Sequence, residues 1–251
     1  MKNWKFAAVL ALLLALLMGC SEEEPVSGSI EPAEGGGSVI TLRIVDGAGT
    51  GSLVLAGQDE MYTLNTDGLD VTLDGEPADA ADLEDGMMIE VAFSGLELYT
   101  GPVTLDAPTA IAARSIPAKE YHDLAGLYLR VMEDLWAEAA PAGGQVTVDL
   151  SGAPGGLTPG ERAAIAWVFT NAHSGEGQST GAESGAARPV TLIIRPSAAV
   201  DGDRNQAPAV HFDAEIQGDT QGMNLYQNCT AVWNETEGWA YGVGRYAIAC
   251  A

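Results

Sequence analysis

The sequence predicts an α+β protein in two folded parts: a small antiparallel β-barrel or sandwich, then an α+β domain with two helices and an antiparallel sheet. Three observations predict it. Short alternating apolar runs broken by Asp-Gly and Ser-Gly turns fill residues 39–116, the pattern of closely connected antiparallel strands. Beyond Pro117, two stretches carry apolar residues at helical spacing and several strand-like runs follow. Finally, 47% of the 251 residues are hydrophobic, enough to build a core, so 35 Asp and Glu against 11 Lys and Arg do not make this a disordered acidic chain. The resulting net charge of −24 repels phosphate and argues against a nucleic-acid partner.

Residues 1–19 read as a signal peptide. Lys2 and Lys5 precede an apolar run from Phe6 to Met18, which is shorter than the roughly 20 residues needed to cross a bilayer core. Leu17-Met18-Gly19-Cys20 resembles the lipobox of bacterial lipoproteins. That resemblance implies a lipid on Cys20, cleavage before it, and a protein held on the extracytoplasmic face of the membrane. Cleavage removes both lysines and deepens the charge to −26, with Lys119 the last lysine and eight scattered arginines. No basic stripe is left for lipid headgroups, so attachment falls to the acyl chain on Cys20. Residues 20–38 form an acidic, glycine-rich stretch with five glutamates and two prolines. They bury little, and read as a flexible tether about 20–25 Å long on root-mean-square average.

Strands are expected at Val39–Val45, Ser52–Ala56, Met61–Leu64, around Val71, and at Ile89–Phe93, with Ser94-Gly95 opening a hairpin toward Tyr99-Thr-Gly-Pro-Val103. The strand spacing, the Leu83-x-x-Gly86 turn and the strand before Ser94-Gly95 resemble the OB-like barrel of YobA-like envelope lipoproteins, a family of unknown function. The resemblance covers residues 39–116 and implies a fold without an activity. OB-like barrels that bind single strands need a basic groove with stacking aromatics. Here Arg43 and Arg114 are the only cations, so that binding does not carry over.

Residues 117–251 form the second part. Tyr121, Leu124, Tyr128, Val131, Met132 and Leu135 fall on one helical face, ended by Pro141-Ala-Gly-Gly144. Val146–Leu150 is a short strand. Thr158-Pro-Gly-Glu161 is a capping box with proline at the first helical position, opening a second helix that ends near Asn171. The segment from Leu157 to Trp167 resembles uncharacterised secreted proteins of anaerobic, Gram-positive-type bacteria. Strands follow at Val190–Arg195, Ala209–Ile216, Met223–Trp233 and Trp239–Ile248.

The chemical candidates are few. Gly177-Gln-Ser-Thr-Gly181 matches the nucleophile elbow around Ser179, but lacks the strand before it and the helix after it that expose such a serine. Asp201, Asp203 and Asn205 begin like a calcium loop, yet its sixth and twelfth positions are Gln206 and Phe212. His211, Asp213 and Glu215 alternate along one strand face, too far apart in a row to share an ion unaided, and read as a half-solvated face. His122 and His173 lie near helix ends. The sequence therefore assigns no catalytic residue, metal ligand or cofactor. Trp233 and Trp239 flank a turn and face each other across a hairpin, with Tyr241 beyond; they are packing residues first and a possible recognition surface second. Cys229 and Cys250 could form a disulfide only if the last strand bends back. The expectation is a lipid-anchored, extracytoplasmic binding or accessory module for a protein, peptide or glycan. An envelope hydrolase using Ser179 or carboxylates near His211, and a calcium-dependent adhesion module, are the alternatives.

Overall fold

The computed structural model of the chain describes residues 30–32, 37–94, 97–99, 101–115, 123–141, 145–174, 189–197, 209–219 and 222–249. It is α+β, with two helices and two mostly antiparallel sheets. The first sheet contains β1 (Ile30–Pro32), β2 (Ser38–Asp46), β3 (Ser52–Ala56), β4 (Met61–Asn65), β5 (Asp70–Leu73), β6 (Glu76–Ala78), β7 (Met88–Phe93), β8 (Glu97–Tyr99), β9 (Val103–Leu105) and β10 (Pro108–Arg114). Alternation works as expected in β7, where Ile89, Val91 and Phe93 are buried and Glu90 and Ala92 are half-buried.

Four features of this sheet depart from the sequence reading. Ile30–Pro32, expected within the tether, pair with β2 from Ile30↔Ile40 to Pro32↔Ser38. They fill the slot beside the first half of β2, because β3 pairs only with its second half. Main-chain bonding at a sheet edge does not require an apolar sequence, which is why composition missed it. The sheet is also not wholly antiparallel: β5 runs parallel to β10, and β4 to β9. Nor does Ser94-Gly95 open a hairpin between β7 and its successor, since β7 is already paired on both sides by β2 and β10. Lastly, the strand path β6-β5-β10-β7-β2-β3-β4-β9-β8 is open, with no pairing among the described residues that joins its ends.

The path nevertheless cannot be flat. Five strand spacings separate β9 from β10 along it, about 24 Å at the usual inter-strand distance. Leu105 and Pro108 are three residues apart, a reach of about 11 Å. The sheet is therefore rolled on itself. Its buried face agrees: Ile40, Leu42, Leu55, Val91, Val103 and Ile111 belong to one cluster built from this sheet and its loops, to which neither α-helix among the described residues contributes a residue.

The second part comprises α1 (Leu124–Ala139), β11 (Val146–Asp149), α2 (Pro159–His173), β12 (Val190–Pro196), β13 (Ala209–Asp219), β14 (Gly222–Asn234), β15 (Gly238–Gly242) and β16 (Arg245–Ala249). The strand order is β11-β12-β13-β14-β15, with β16 on β14. The expected antiparallel sheet holds except at its first edge, where β11 runs parallel to β12 with α2 between them in sequence. The expected last strand is two strands. They pair with successive halves of the 13-residue β14, which kinks at Asn228 (φ +53°). At that kink a Cβ on Gly244 would lie 2.9 Å from the Asn228 carbonyl oxygen, so the chain needs glycine there.

The helices start where their caps dictate. Asp123 caps α1 by accepting the Gly126 N–H at 2.8 Å, so the described helix starts at Leu124. The capping box of α2 is formed as read: Thr158 Oγ1 accepts the Glu161 N–H at 3.0 Å, and Glu161 Oε2 accepts the Thr158 N–H at 2.8 Å.

That first turn of α2 also joins the two parts. Thr158 Oγ1 donates to the Gly57 carbonyl at 3.1 Å, and Gly160 N–H to the Gln58 carbonyl at 3.3 Å. Glu161 Oε1 meets Arg43 Nε at 3.0 Å, while Arg43 Nη1 donates to the Gly86 carbonyl at 3.0 Å. Below these contacts β3 is buried on both faces. Leu53 and Leu55 enter the rolled sheet's own core, whereas Val54 and Ala56, with Val45, join the core built by α1, α2 and the second sheet.

Candidate recognition surface

Helix α1 organises the site. Its buried stripe of Tyr128, Val131, Met132, Leu135 and Trp136 rests on the second sheet and α2. One polar flank carries Arg130, Asp134 and Glu138 at successive turns, and each reaches an aromatic strand. Arg130 Nη2 donates to the Trp239 carbonyl, and its guanidinium lies 5.6 Å from the Tyr241 ring centre. Tyr241 donates its hydroxyl to Asp134, and Tyr226 donates to Glu138 Oε2 at 2.8 Å. Burial raises both phenol pKa values, and the adjacent carboxylates add to the shift because an anion there disfavours phenolate. Tyr246 donates to Asn224 Oδ1 at 2.9 Å and meets Tyr226 edge-on at 5.7 Å.

These contacts end at a partly open sheet edge. Trp233 and Trp239 pair across the hairpin as expected and meet edge-on at 5.5 Å. Both are buried, so they serve the core, and of the three predicted recognition residues only Tyr241 keeps an exposed part. The exposed aromatic and apolar surface lies further along the chain. Tyr246 is half-buried, Val243 is 38% exposed and Ile248 58% exposed. Asp134 and Glu138 remain exposed beside it. The arrangement offers tyrosine faces and aliphatic carbons for stacking, with carboxylate and amide oxygens as acceptors alongside.

Sequence reasoning did not find this cluster, because its partners are separated by 88 and 107 positions in the chain. The available signal was the spacing of Arg130, Asp134 and Glu138, which reads equally well as a solvated flank.

The remaining candidates separate from it. His211, Asp213 and Glu215 lie along one face of β13 as read, but they serve different partners. His211 Nδ1 meets Thr230 Oγ1 at 3.1 Å, and Asp213 Oδ1 accepts the Asn228 N–H at 2.8 Å at the kink of β14. Glu215 departs from the solvated reading: it is 1% exposed and pairs with Arg195 at 2.6 Å. A pairing that the sequence did not suggest joins His173 to Glu133, with Nε2 at 2.9 Å from Oε1. A carboxylate holding an imidazole could orient a general base. Here, however, the ring is buried between Trp136 and Phe169, 4.7 and 4.5 Å away, and it staples α1 to α2.

Among the described residues no three His, Cys, Asp or Glu side chains form a metal-binding group. Cys229 is a free, buried thiol, pushed up to about 12 by burial and then by the Asp213 charge. Cys250, its suggested disulfide partner, lies outside the described residues, as do Cys20, His122, Ser179 and Asp201–Asn205. The register places Ala249 opposite Met223, six positions along β14 from Cys229. No described helix is long and apolar enough to cross a membrane. No family model, curated protein or solved structure matches the chain.

Proposed function

We propose that this chain is a lipid-anchored extracytoplasmic binding or accessory module, held to the membrane through Cys20 and recognising its partner with the β15–β16 edge. The observation that carries recognition is the surface formed by exposed Val243 and Ile248 with half-buried Tyr241 and Tyr246, beside the Asp134 and Glu138 carboxylates. The lipobox resemblance carries the anchor. The strand order and self-contained core of the rolled first sheet support an OB-like barrel, as the YobA-like resemblance implies, with the barrel acting as a spacer between the tether and the recognising part.

The anchor is tested by feeding cells an alkyne fatty acid. Label and membrane association are both expected to disappear in Cys20→Ser, and retention of either by that variant removes the anchor from this reading. Recognition is tested on intact cells with a photo-crosslinking residue at Ile248 and, as a control, at Glu90 on the first sheet. A discrete adduct from position 248 alone is expected. Labelling by a serine-reactive probe that is lost in Ser179→Ala would replace the binding module with a hydrolase.

A further inference from the structure

We infer that β16 is a docking edge for an extended, basic peptide segment of a partner protein, which adds to the second sheet as a further strand. This rests on the proposed reading of the same face as a recognition surface. Among the described residues β15 and β16 pair only with β14, so their outer main-chain groups face away from the sheet. Unpaired edges are normally protected by charge, proline or a covering element. Two edges of the first sheet show such devices in their sequences. β6 contains Glu76 and Pro77, and β1 contains Glu31 and Pro32. By contrast β16 reads Arg-Tyr-Ala-Ile-Ala, with one charge at its start, no proline and Ile248 exposed.

Two facts select the occupant. The chain carries a net charge of −24, which disfavours a second copy on this edge and favours a cationic partner. Locally, exposed Asp134 and Glu138 lie on the helix-side face, against the single exposed Arg245 at the start of β16, while Arg130 is already engaged by Trp239 and Tyr241. Tyr246 and Ile248 share the helix-side face with Tyr226, whose hydroxyl bonds Glu138. A lysine or arginine on an added strand can lay its aliphatic stem over Tyr246 and Ile248 and carry its charge toward Glu138. Main-chain bonds to β16 would then supply affinity, and alternate cationic side chains the selectivity.

The test uses the full lipidated chain in detergent and a short synthetic peptide alternating arginine and threonine. Controls are the same peptide with glutamate in place of arginine, and one with alternate backbone nitrogens methylated. Saturable binding that slows amide exchange over residues 245–249 is expected, with affinity falling as salt rises. Ile248→Lys, at an exposed position, should weaken binding at least about tenfold without altering the melting temperature. Equal binding of the glutamate or methylated peptide, protection confined to other strands, or undiminished affinity in Ile248→Lys would overturn the inference. A chito-oligosaccharide that protects residues 238–249 where the arginine peptide does not would leave the face as a recognition surface and refute its basic partner. Protection by neither probe would refute both.

Discussion

Single residues at contacts between elements carry much of the specificity of this fold. Gly160 is the clearest case: a Cβ there would come within 2.3 Å of the Gly57 carbonyl oxygen and 2.5 Å of that of Glu60, both backbone atoms that cannot swing away. We expect Gly160→Ala to destabilise the protein by about 2–3 kcal/mol in urea titration, and a loss below about 0.5 kcal/mol would show that the docking relaxes freely. Asp123 gives a pH-dependent case. Burial holds its carboxyl above the ordinary range, against the opposing Gly126 hydrogen bond and the Arg43 charge. The charged form is thus a cost at neutral pH, and the folded state gains stability as pH falls through the raised value. Asp123→Asn keeps the cap acceptor and removes that cost, so it should be at least as stable as the parent at pH 7, with the gap narrowing on acidification. Midpoints that differ equally at every pH would contradict this. Cys229 should resist alkylation at pH 8 in the native protein and react on unfolding, as its burial and raised pKa require. A thiol that stays unreactive after unfolding without reductant would instead reveal a disulfide. Little of this was legible in the sequence, which offered Cys229 only as a possible disulfide partner, because the carbonyls facing Gly160, the Arg43 charge near Asp123 and the Asp213 charge near Cys229 come from distant positions in the chain.

At the scale of elements, legibility followed the range of the interactions. The α2 start was readable because its cap, its proline and its reciprocal Glu161 contact lie within four residues. Thr158→Ala should cost about 1 kcal/mol, and more if the additional bond to Gly57 is strong, as urea unfolding beside Thr158→Ser would show. The strands β2, β3, β4 and β7 were readable from their alternation or from a short apolar run. Their partners were not, and the parallel pairs β5–β10 and β4–β9 follow from how the sheet rolls. Helix α1 shows both sides of this. Its apolar stripe marked it as a helix, but its polar flank gained meaning only when Arg130, Asp134 and Glu138 met Trp239, Tyr241 and Tyr226. The recognition surface was accordingly half visible: Tyr241 was singled out, while Tyr246 and Ile248 depended on knowing that the last strand is broken and forms an edge.

For the whole molecule, the shared core decides how the two parts behave. Val45, Val54 and Ala56 belong to the first sheet by pairing and to the second core by burial, so loss of either part exposes apolar surface on the other. We expect a single cooperative unfolding transition. Every tryptophan beyond residue 20 lies in the second part, whereas far-ultraviolet circular dichroism reports both sheets. The two signals should therefore coincide in denaturant, and separated midpoints would show independent domains. By itself the sequence determined the fold class, most of the strands and both helices, since these follow from periodicities and caps a few residues long. It also carried every argument for an anchor at Cys20. Only the tertiary structure decided that Ile30–Pro32 join the first sheet, that α2 docks on the β3–β4 turn, and that β16, among the described residues, pairs only with β14. The reason is physical: a local pattern fixes which face of an element is apolar, whereas the atoms that meet that face, or leave it open, come from distant parts of the chain.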